Sequence, residues 1–431
     1  MKITFIRPSM AGEQSSDALK PIAFSILNGL TPPDFDVQFF DEHIETLPST
    51  IESDAICFSV DTFSAKRAYA LAEGFRQKNN HVQIIMGGFH PSACPDEAEQ
   101  YADSVVVGDA EPVWEQVMAD LQNGMLQRRY TSSNSTMLPF VRMNPTVFNG
   151  KNYARIGVVQ WKRGCVGHCD FCSIFSFYQS RVTERDIDDV IAEIRSMREK
   201  IFFIADDNLL HDKTKLKEFL EKLVPLKKKW ACQISINVAS DNELVKLMAR
   251  SGCVMMIIGF ESLNADNLRK IGKKPTDYAA AISKIYAQGI MIYGTFIFGY
   301  PEDTLGSFDQ IYEFAMRWKF AITNFNPLMA MPGTALYDEL MTQGKLIDKR
   351  WWLSEDFHYG DAMHRPENFT AAELAENCKR LRYRFYSVSG TLRRYFSVVN
   401  LRHMPLFLLL NLVSALEIHK KQRRTLGGEM R

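Results

Sequence analysis

No excess of either charge is present in this sequence: lysine plus arginine and aspartate plus glutamate each total 51, for a formal net charge of +0. A chain so balanced carries no basic footprint for nucleic acid, and a polyanionic partner is disfavoured. Long apolar runs are missing too. No stretch reaches the roughly 18 consecutive apolar residues of a spanning helix, which predicts a protein that is soluble or at most peripheral to a membrane. The start, Met1-Lys2-Ile3-Thr4-Phe5-Ile6-Arg7-Pro8, breaks its apolar run at Arg7 and lacks the core of a secretory signal. Five of the eight cysteines, Cys57, Cys94, Cys232, Cys253 and Cys378, are scattered. They read as buried thiols in a reducing, cytoplasmic setting rather than as disulfides.

What is present suffices for several domains, since 431 residues with 46% hydrophobic content can bury ordinary cores. Residues 1–125 alternate apolar runs (Ile3 to Ile6, Val37 to Phe40, Ala55 to Val60, Val82 to Met86, Ser104 to Val107) with helical stretches. Such runs suit a parallel, doubly wound sheet covered on both faces. Residues 126–152 lose periodicity and collect Ser132, Ser133, Asn134, Ser135, Pro139 and Pro145, the composition of a linker. Over 153–345 a second alternation supplies six strand candidates, Gly157 to Trp161, Ile201 to Ala205, Ala231 to Asn237, Val254 to Phe260, Met291 to Phe298 and Ala321 to Asn326. Repeats of strand plus crossover helix describe a partial (β/α)6 barrel, whose site is built from loops at the strands' carboxyl ends. Residues 346–431 read as helical. The fold class is α/β throughout.

The densest chemistry lies in Gly164-Cys165-Val166-Gly167-His168-Cys169-Asp170-Phe171-Cys172. Three thiolates from one loop can hold three irons of a four-iron four-sulfur (4Fe-4S) cluster and leave the fourth iron open. Zinc is disfavoured, because no second cysteine pair exists and His168 lies inside the loop, badly placed to close a tetrahedron. A single catalytic nucleophile would not need three thiols.

The spacing Cys-x3-Cys-x2-Cys with Phe171 before the last cysteine, opening a barrel after its first strand, resembles the radical S-adenosylmethionine (radical SAM) superfamily. The resemblance implies that Cys165, Cys169 and Cys172 bind the cluster, and that the open iron chelates the amino and carboxylate groups of S-adenosylmethionine. Further strings are similar to the cobalamin-binding branch of that superfamily: Phe203-Ile204-Ala205-Asp206-Asp207-Asn208, Ile258-Gly259-Phe260-Glu261-Ser262, Phe298-Gly299-Tyr300-Pro301-Glu302-Asp303-Thr304 and Phe325-Asn326-Pro327. By this likeness Asp207 or Asn208 contacts the methionine amine. Glu261 and Ser262 lie near the methionine or ribose, Gly299 and Tyr300 lie near the adenine, and Asn237 and Phe171 join the S-adenosylmethionine site.

In residues 1–125 the order Ser53 to Ser59, then Met86-Gly87-Gly88-Phe89-His90-Pro91, then Val107-Gly108-Asp109-Ala110-Glu111-Pro112 resembles the Rossmann-like cobalamin-binding domain of the same branch. No Gly-x-Gly-x-x-Gly follows the first strand, so a dinucleotide fingerprint is missing. The likeness makes Ser59, Thr62, Gly87, Gly88, His90, Gly108 and Glu111 candidate cobalamin contacts, with the glycines admitting backbone close to a large ligand and His90 bonding to the nucleotide tail. The string Asp41-Glu42-His43-Ile44-Glu45-Thr46 departs from Asp-x-His-x-x-Gly, so cobalamin is expected without a protein histidine on cobalt.

The resemblance implies a cobalamin-dependent radical SAM enzyme, foremost a methyltransferase acting on an unactivated carbon of a specialised metabolite or lipid. A ring-forming or oxidative enzyme with the same cofactors is the runner-up, and a non-catalytic cobalamin or iron-sulfur sensor the reading from another class. An electron donor of flavodoxin or ferredoxin type is implied as partner. The apolar stretch Met404 to Val413, flanked by Arg402, Lys420, Lys421, Arg423 and Arg424, reads as a helix packed on the barrel or a peripheral membrane contact.

Overall fold

Branched and aromatic runs bounded by glycine or charged residues extend where both faces can be covered, because such side chains fit a pleated, buried surface. The computed structural model describes residues 1–12, 14, 15, 18–132, 143–274 and 276–421. In it these runs build two six-stranded parallel sheets. The first holds β1 (Lys2–Arg7), β2 (Asp36–Asp41), β3 (Ala55–Ser59), β4 (Gln83–Gly87), β5 (Ser104–Val107) and β6 (Arg129–Thr131), in the order β2-β1-β3-β4-β5-β6. Chain direction across the sheet reverses beside β1, so the loops after β1 and β3 part and leave a crevice at the strands' carboxyl ends.

Five of these strands are the expected ones; β6 is not. It lies inside the segment that reads as a linker, where Arg129, Tyr130 and Thr131 pair with Val105, Val106 and Val107. Only Tyr130 of the three is buried, a pattern too short to register as a period. Phe148 and Tyr153 also enter the core under this sheet. Ser133, Asn134, Ser135 and Pro139 lie outside the described residues, as do Arg423 and Arg424.

The second sheet runs β14-β13-β12-β11-β10-β7, with β7 (Gly157–Val159), β10 (Ile201–Ile204), β11 (Lys229–Gln233), β12 (Cys253–Glu261), β13 (Met291–Phe298) and β14 (Ile322–Pro327). Between β7 and β10 a small antiparallel pair, β8 (Lys162–Arg163) and β9 (Thr183–Glu184), brackets the cysteine loop. Helices cover the outer face with apolar stripes at helical spacing, as with Leu216, Phe219, Leu220 and Leu223.

A partial barrel leaves an edge, and the C-terminal region covers it. Residues 346–370 are not the helix expected but a strap, which sets Leu346, Trp351, Trp352 and Met363 into a core shared with Ile56 and Val60 of the first sheet and Tyr300 and Leu328 of the barrel. Helix Ala371–Tyr386 then lies along β14. Tyr386 Oη accepts from Thr323 N at 3.1 Å and donates to Thr323 O at 3.1 Å, while Arg382 Nη1 donates to Phe325 O at 3.1 Å. Side chains thereby satisfy backbone groups that a neighbouring strand would otherwise have paired.

At the end of β2, Asp41 is fully buried and gathers Tyr153 Oη at 2.7 Å, His43 Nδ1 at 2.9 Å and Arg7 Nη1 at 3.3 Å. Burial alone would raise its pKa, but the Arg7 cation and the bonds from His43 and Tyr153 outweigh burial and bring it to about 2. A carboxylate whose folded pKa lies below its unfolded value stabilises above the ordinary range and loses that contribution as pH falls toward the folded pKa. Asp41→Asn should therefore cost about 2 kcal/mol near neutral pH. The difference from the parent protein should shrink as thermal unfolding is followed downward from about pH 4 toward pH 2.

Candidate functional site

The cysteine loop is shaped by the polar residues that follow β10. Asp206 Oδ1 accepts Trp161 N at 2.8 Å and Lys162 N at 3.0 Å, and Asp207 Oδ2 accepts Gly164 N at 2.8 Å. Asn208 Nδ2 donates to Cys165 Sγ at 3.7 Å, while its Oδ1 accepts Leu210 N at 3.2 Å and Ser235 N at 3.1 Å. Gln233 Nε2, on the next strand, donates to Asp207 O at 2.9 Å. Burial lifts the Asp206 carboxyl to about 7 despite the two backbone donors. Gly164 has φ +90°, and a Cβ there would sit 2.0 Å from Arg181 O; only glycine lets the two ends of the loop approach this closely.

Within the loop, Gly167 N donates to Cys165 Sγ at 3.3 Å. A Cβ on Gly167 would lie 3.4 Å from Cys165 Sγ and 4.0 Å from Cys169 Sγ. The two sulfurs therefore flank a space that any side chain at 167 would fill. Cys165, Cys169 and Cys172 form no disulfide, and each is partly accessible. Among the described residues no three His, Cys, Asp or Glu side chains converge tightly enough to hold a single metal ion. Three thiols on one loop fit a polynuclear cluster, whose irons each take their own thiolate. His168 Nε2 instead lies 3.1 Å from Ser180 Oγ. Burial pushes the Cys169 thiol up to about 12 against the pull of Lys273, so metal binding here must displace a proton.

Glu261 ends β12 at φ +62°, and its Oε1 lies 2.8 Å from Lys273 Nζ, which also donates to Gly259 O at 2.8 Å. Burial alone would lower the Lys273 pKa, but the Glu261 carboxylate and the nearby thiols of Cys169 and Cys172 raise it, so the ammonium stays charged beside the cysteine loop. Ser262 Oγ accepts Asn264 N at 3.0 Å at the start of helix Ala265–Lys270. The turn after β13 hangs on Asp303, whose Oδ2 accepts Gly299 N at 2.9 Å and Tyr300 N at 3.1 Å. Tyr300 Oη is buried without a hydrogen-bond partner among the described residues, and Asp170, Glu261 and Cys169 are its electrostatic neighbours. Asn237 is exposed on the short turn Ile236–Ser240. Phe171 packs at the margin of the core between the two sheets.

The first sheet reaches this site through an ion pair. Arg163, one residue before Gly164, places Nη2 2.6 Å from Glu111 Oε1 and Nη1 3.2 Å from Asp109 Oδ1, and Tyr178 Oη donates to the same Asp109 oxygen at 3.3 Å. Phe89 and Phe177 pack across the same junction with ring centroids 4.8 Å apart and planes tilted by 53°. Ser59 and Gly87 end β3 and β4, and Thr62 is buried just beyond. Two of the glycines also admit close approach within the chain. A Cβ on Gly88 would stand 2.7 Å from Val60 O, and one on Gly108 would stand 2.3 Å from Ser132 Oγ, so the close approach each permits is to the chain itself. His90 is fully buried, with Nε2 3.1 Å from both Tyr69 Oη and Glu97 Oε1. Glu97 Oε1 also accepts Trp352 Nε1 at 2.9 Å. The His90 ring thus knits the first sheet to the C-terminal strap, and that nitrogen is occupied within the protein. Ser9, in the crevice beside β1, keeps a buried hydroxyl with no partner among the described residues, a donor left over for a ligand at the reversal of strand order.

The model of the radical SAM superfamily matches residues 159–315. The chain is 31% identical over 392 residues to bacteriochlorophyllide d C-12(1)-methyltransferase of Chlorobaculum tepidum, covering 87% of this chain and 84% of that one. The chain belongs to the cobalamin-binding branch of the radical SAM superfamily. Two solved folds resemble this radical SAM protein. OxsB, a cobalamin-dependent S-adenosylmethionine radical enzyme solved with aqua-cobalamin, aligns with TM-score 0.68 at 13% identity over 94% of this chain and 70% of its own. TsrM of Kitasatospora setae, a radical S-adenosylmethionine methyltransferase solved with cobalamin and an iron-sulfur cluster, aligns with TM-score 0.64 at 14% identity over 87% and 84%.

Sequence reasoning about this radical SAM protein passed over Arg163, Gln233 and Lys273. Arg163 adjoins the cysteine motif and its acids lie in a string already singled out, so opposite charges beside two motifs were the available signal. Lys273 carried none, since a lysine in a polar loop is ordinarily solvated. Arg163→Met should strand two acids at the junction and cost about 3–5 kcal/mol in thermal unfolding. Gly167→Val should leave the fold intact and lower bound iron and sulfide severalfold after anaerobic reconstitution, read by chemical assay and visible absorbance.

Proposed function

We propose that this protein is a cobalamin-dependent radical SAM methyltransferase that adds a methyl group to carbon, with a tetrapyrrole as substrate class. What carries the reading is the pairing of an open three-cysteine loop with a doubly wound sheet across one ion-paired junction, in a chain alike over most of its length to a tetrapyrrole methyltransferase. When bound, the cluster and S-adenosylmethionine supply hydrogen-abstracting power, and methylcobalamin supplies the methyl group.

The chain's own residues do the rest. Cys165, Cys169 and Cys172 hold the cluster and leave one iron open. Asp207, Asn208, Glu261 and Ser262 orient S-adenosylmethionine, and Tyr300, Gly299, Phe171 and Asn237 border its site. Ser59, Thr62 and the loops at Gly87, Gly88 and Gly108 border cobalamin, with His90 and Glu111 bracing them from behind. His43 is bound to Asp41, so no histidine is assigned to cobalt. Buried aromatic and aliphatic side chains where the two sheets meet keep water from the reacting carbon.

Residues 1–125, completed by β6, form the cobalamin domain, the remainder of 126–152 the connection, 153–345 the barrel and 346–431 the cover. The enzyme works in a reducing cytoplasm with a flavodoxin or ferredoxin type donor. Its outer C-terminal surface touches a membrane peripherally, which suits a greasy substrate, although no helix among the described residues is long and apolar enough to cross one.

Anaerobic protein given S-adenosylmethionine, cobalamin, a strong reductant and a chlorophyllide should yield 5′-deoxyadenosine and a product heavier by one methylene unit, read by mass spectrometry. Cys172→Ala should abolish both. Hydrogen loss without methyl gain would identify an oxidative ring-forming enzyme, and absence of 5′-deoxyadenosine from the loaded protein would identify a sensor.

A further inference from the structure

Helix Met404–Lys421 buries Phe407 and Ile418 in the core and still leaves apolar side chains outside. Its inward face carries Asn411, Ser414 and Glu417, all 5% exposed or less, whereas Leu409, Leu412 and Leu416 stand outward at 57% to 59% exposure. The polar face has a reason to point inward. Asn411 Nδ2 donates to Ala321 O at 3.2 Å, and Asn411 Oδ1 accepts Arg394 Nη2 at 2.8 Å. Arg394, fully buried, donates in turn to Phe320 O at 3.1 Å and Ala321 O at 2.9 Å. The helix is thus docked by polar groups on the carbonyls leading into β14. Its leucines, spaced to share one stripe, are left outside, where a water-facing helix would carry charge.

The two short helices before it, Val388–Tyr395 and Val398–Arg402, pack against it and repeat the pattern. Val388, Leu392, Phe396 and Val398 are between 52% and 85% exposed. Apolar exposure this concentrated marks an interaction surface rather than scattered surface residues. Its charge selects the partner. From Val388 to Lys421 the sequence has one acid, Glu417, and that acid is buried, while Arg393 and Arg402 are exposed.

We propose, resting on the peripheral contact inferred above, that the outer face of these three helices lies on an anionic lipid surface. The leucines enter the acyl boundary, and Arg393 and Arg402 meet lipid phosphates. A second copy of the chain is the poorer occupant, because a two-fold contact would set these cations against a face that offers no exposed acid.

The full-length protein should float with vesicles of phosphatidylcholine containing about one part in three phosphatidylglycerol, far less with phosphatidylcholine alone, and be released by salt. Replacing Leu409, Leu412 and Leu416 by serine should lower partitioning on the order of tenfold or more while leaving the unfolding temperature unchanged. Should that variant misfold, Arg393→Gln with Arg402→Gln must still weaken binding to the anionic vesicles alone. Equal flotation of parent and leucine variant, no flotation with either vesicle, or a dimer that the leucine variant dissolves would overturn the proposal. Measuring 5′-deoxyadenosine in the same preparations separates the two readings, since lipid binding without radical chemistry would sink only the enzyme.

Discussion

The arrangement of this protein hangs on the Arg163 guanidinium, which lies between Asp109 and Glu111 of one sheet and the cysteine loop of the other. Arg163 is followed directly by Gly164, whose N–H is held by Asp207. The same two residues therefore tie the loop to the first sheet on one side and to β10 on the other. An ion pair with little solvent around it is costly to form unless both acids find the fork of one arginine. Once formed it fixes register, because no other geometry satisfies all three charges. It ties the base of the cysteine loop, on its short β8–β9 stem, to the segment after β5 of the first sheet.

A second constraint follows from the incompleteness of the barrel. Six strands do not close, and β14 would present unpaired backbone groups to water or to another chain. Tyr386, Arg382, Arg394 and Asn411 reach those groups from the C-terminal helices. Because the helices spend Arg382, Arg394 and Asn411 on the barrel edge, much of their remaining surface is apolar, broken by Arg393 and Arg402. One geometric problem, closing an open sheet, thus generates the feature that looks outward. Inward, the strap at Trp351 and Trp352 and the buried His90–Glu97 pair lock the first sheet to the barrel.

Two alternating blocks of apolar runs announced the two parallel sheets, since a strand covered on both faces needs a near-continuous apolar composition. The cysteine loop and the Asp206-Asp207-Asn208 string were legible because both chemistry and spacing are local. Strand β6 was not, for three residues with one buried side chain carry no period. Nor was the strap over 346–370, which has no repeating pattern and owes its course to pockets offered by two domains. Gly88 and Gly108 were recognised as sites of close approach, and the approach to Val60 and Ser132 that each permits within the chain had no local signal.

By itself the sequence determined the chemistry available: three thiols in one loop, acids and amides at strand ends, two sheet-forming blocks and a neutral balance of charge. These are properties of residue type and short-range spacing, which the chain carries whether folded or not. Only the tertiary structure decided which of them meet. Arg163 finds acids more than fifty positions earlier, Lys273 comes to the thiols from a distant loop, and the last helix turns its leucines outward. Each outcome is settled by burial and by competition for partners across the whole molecule, which no local stretch of sequence contains.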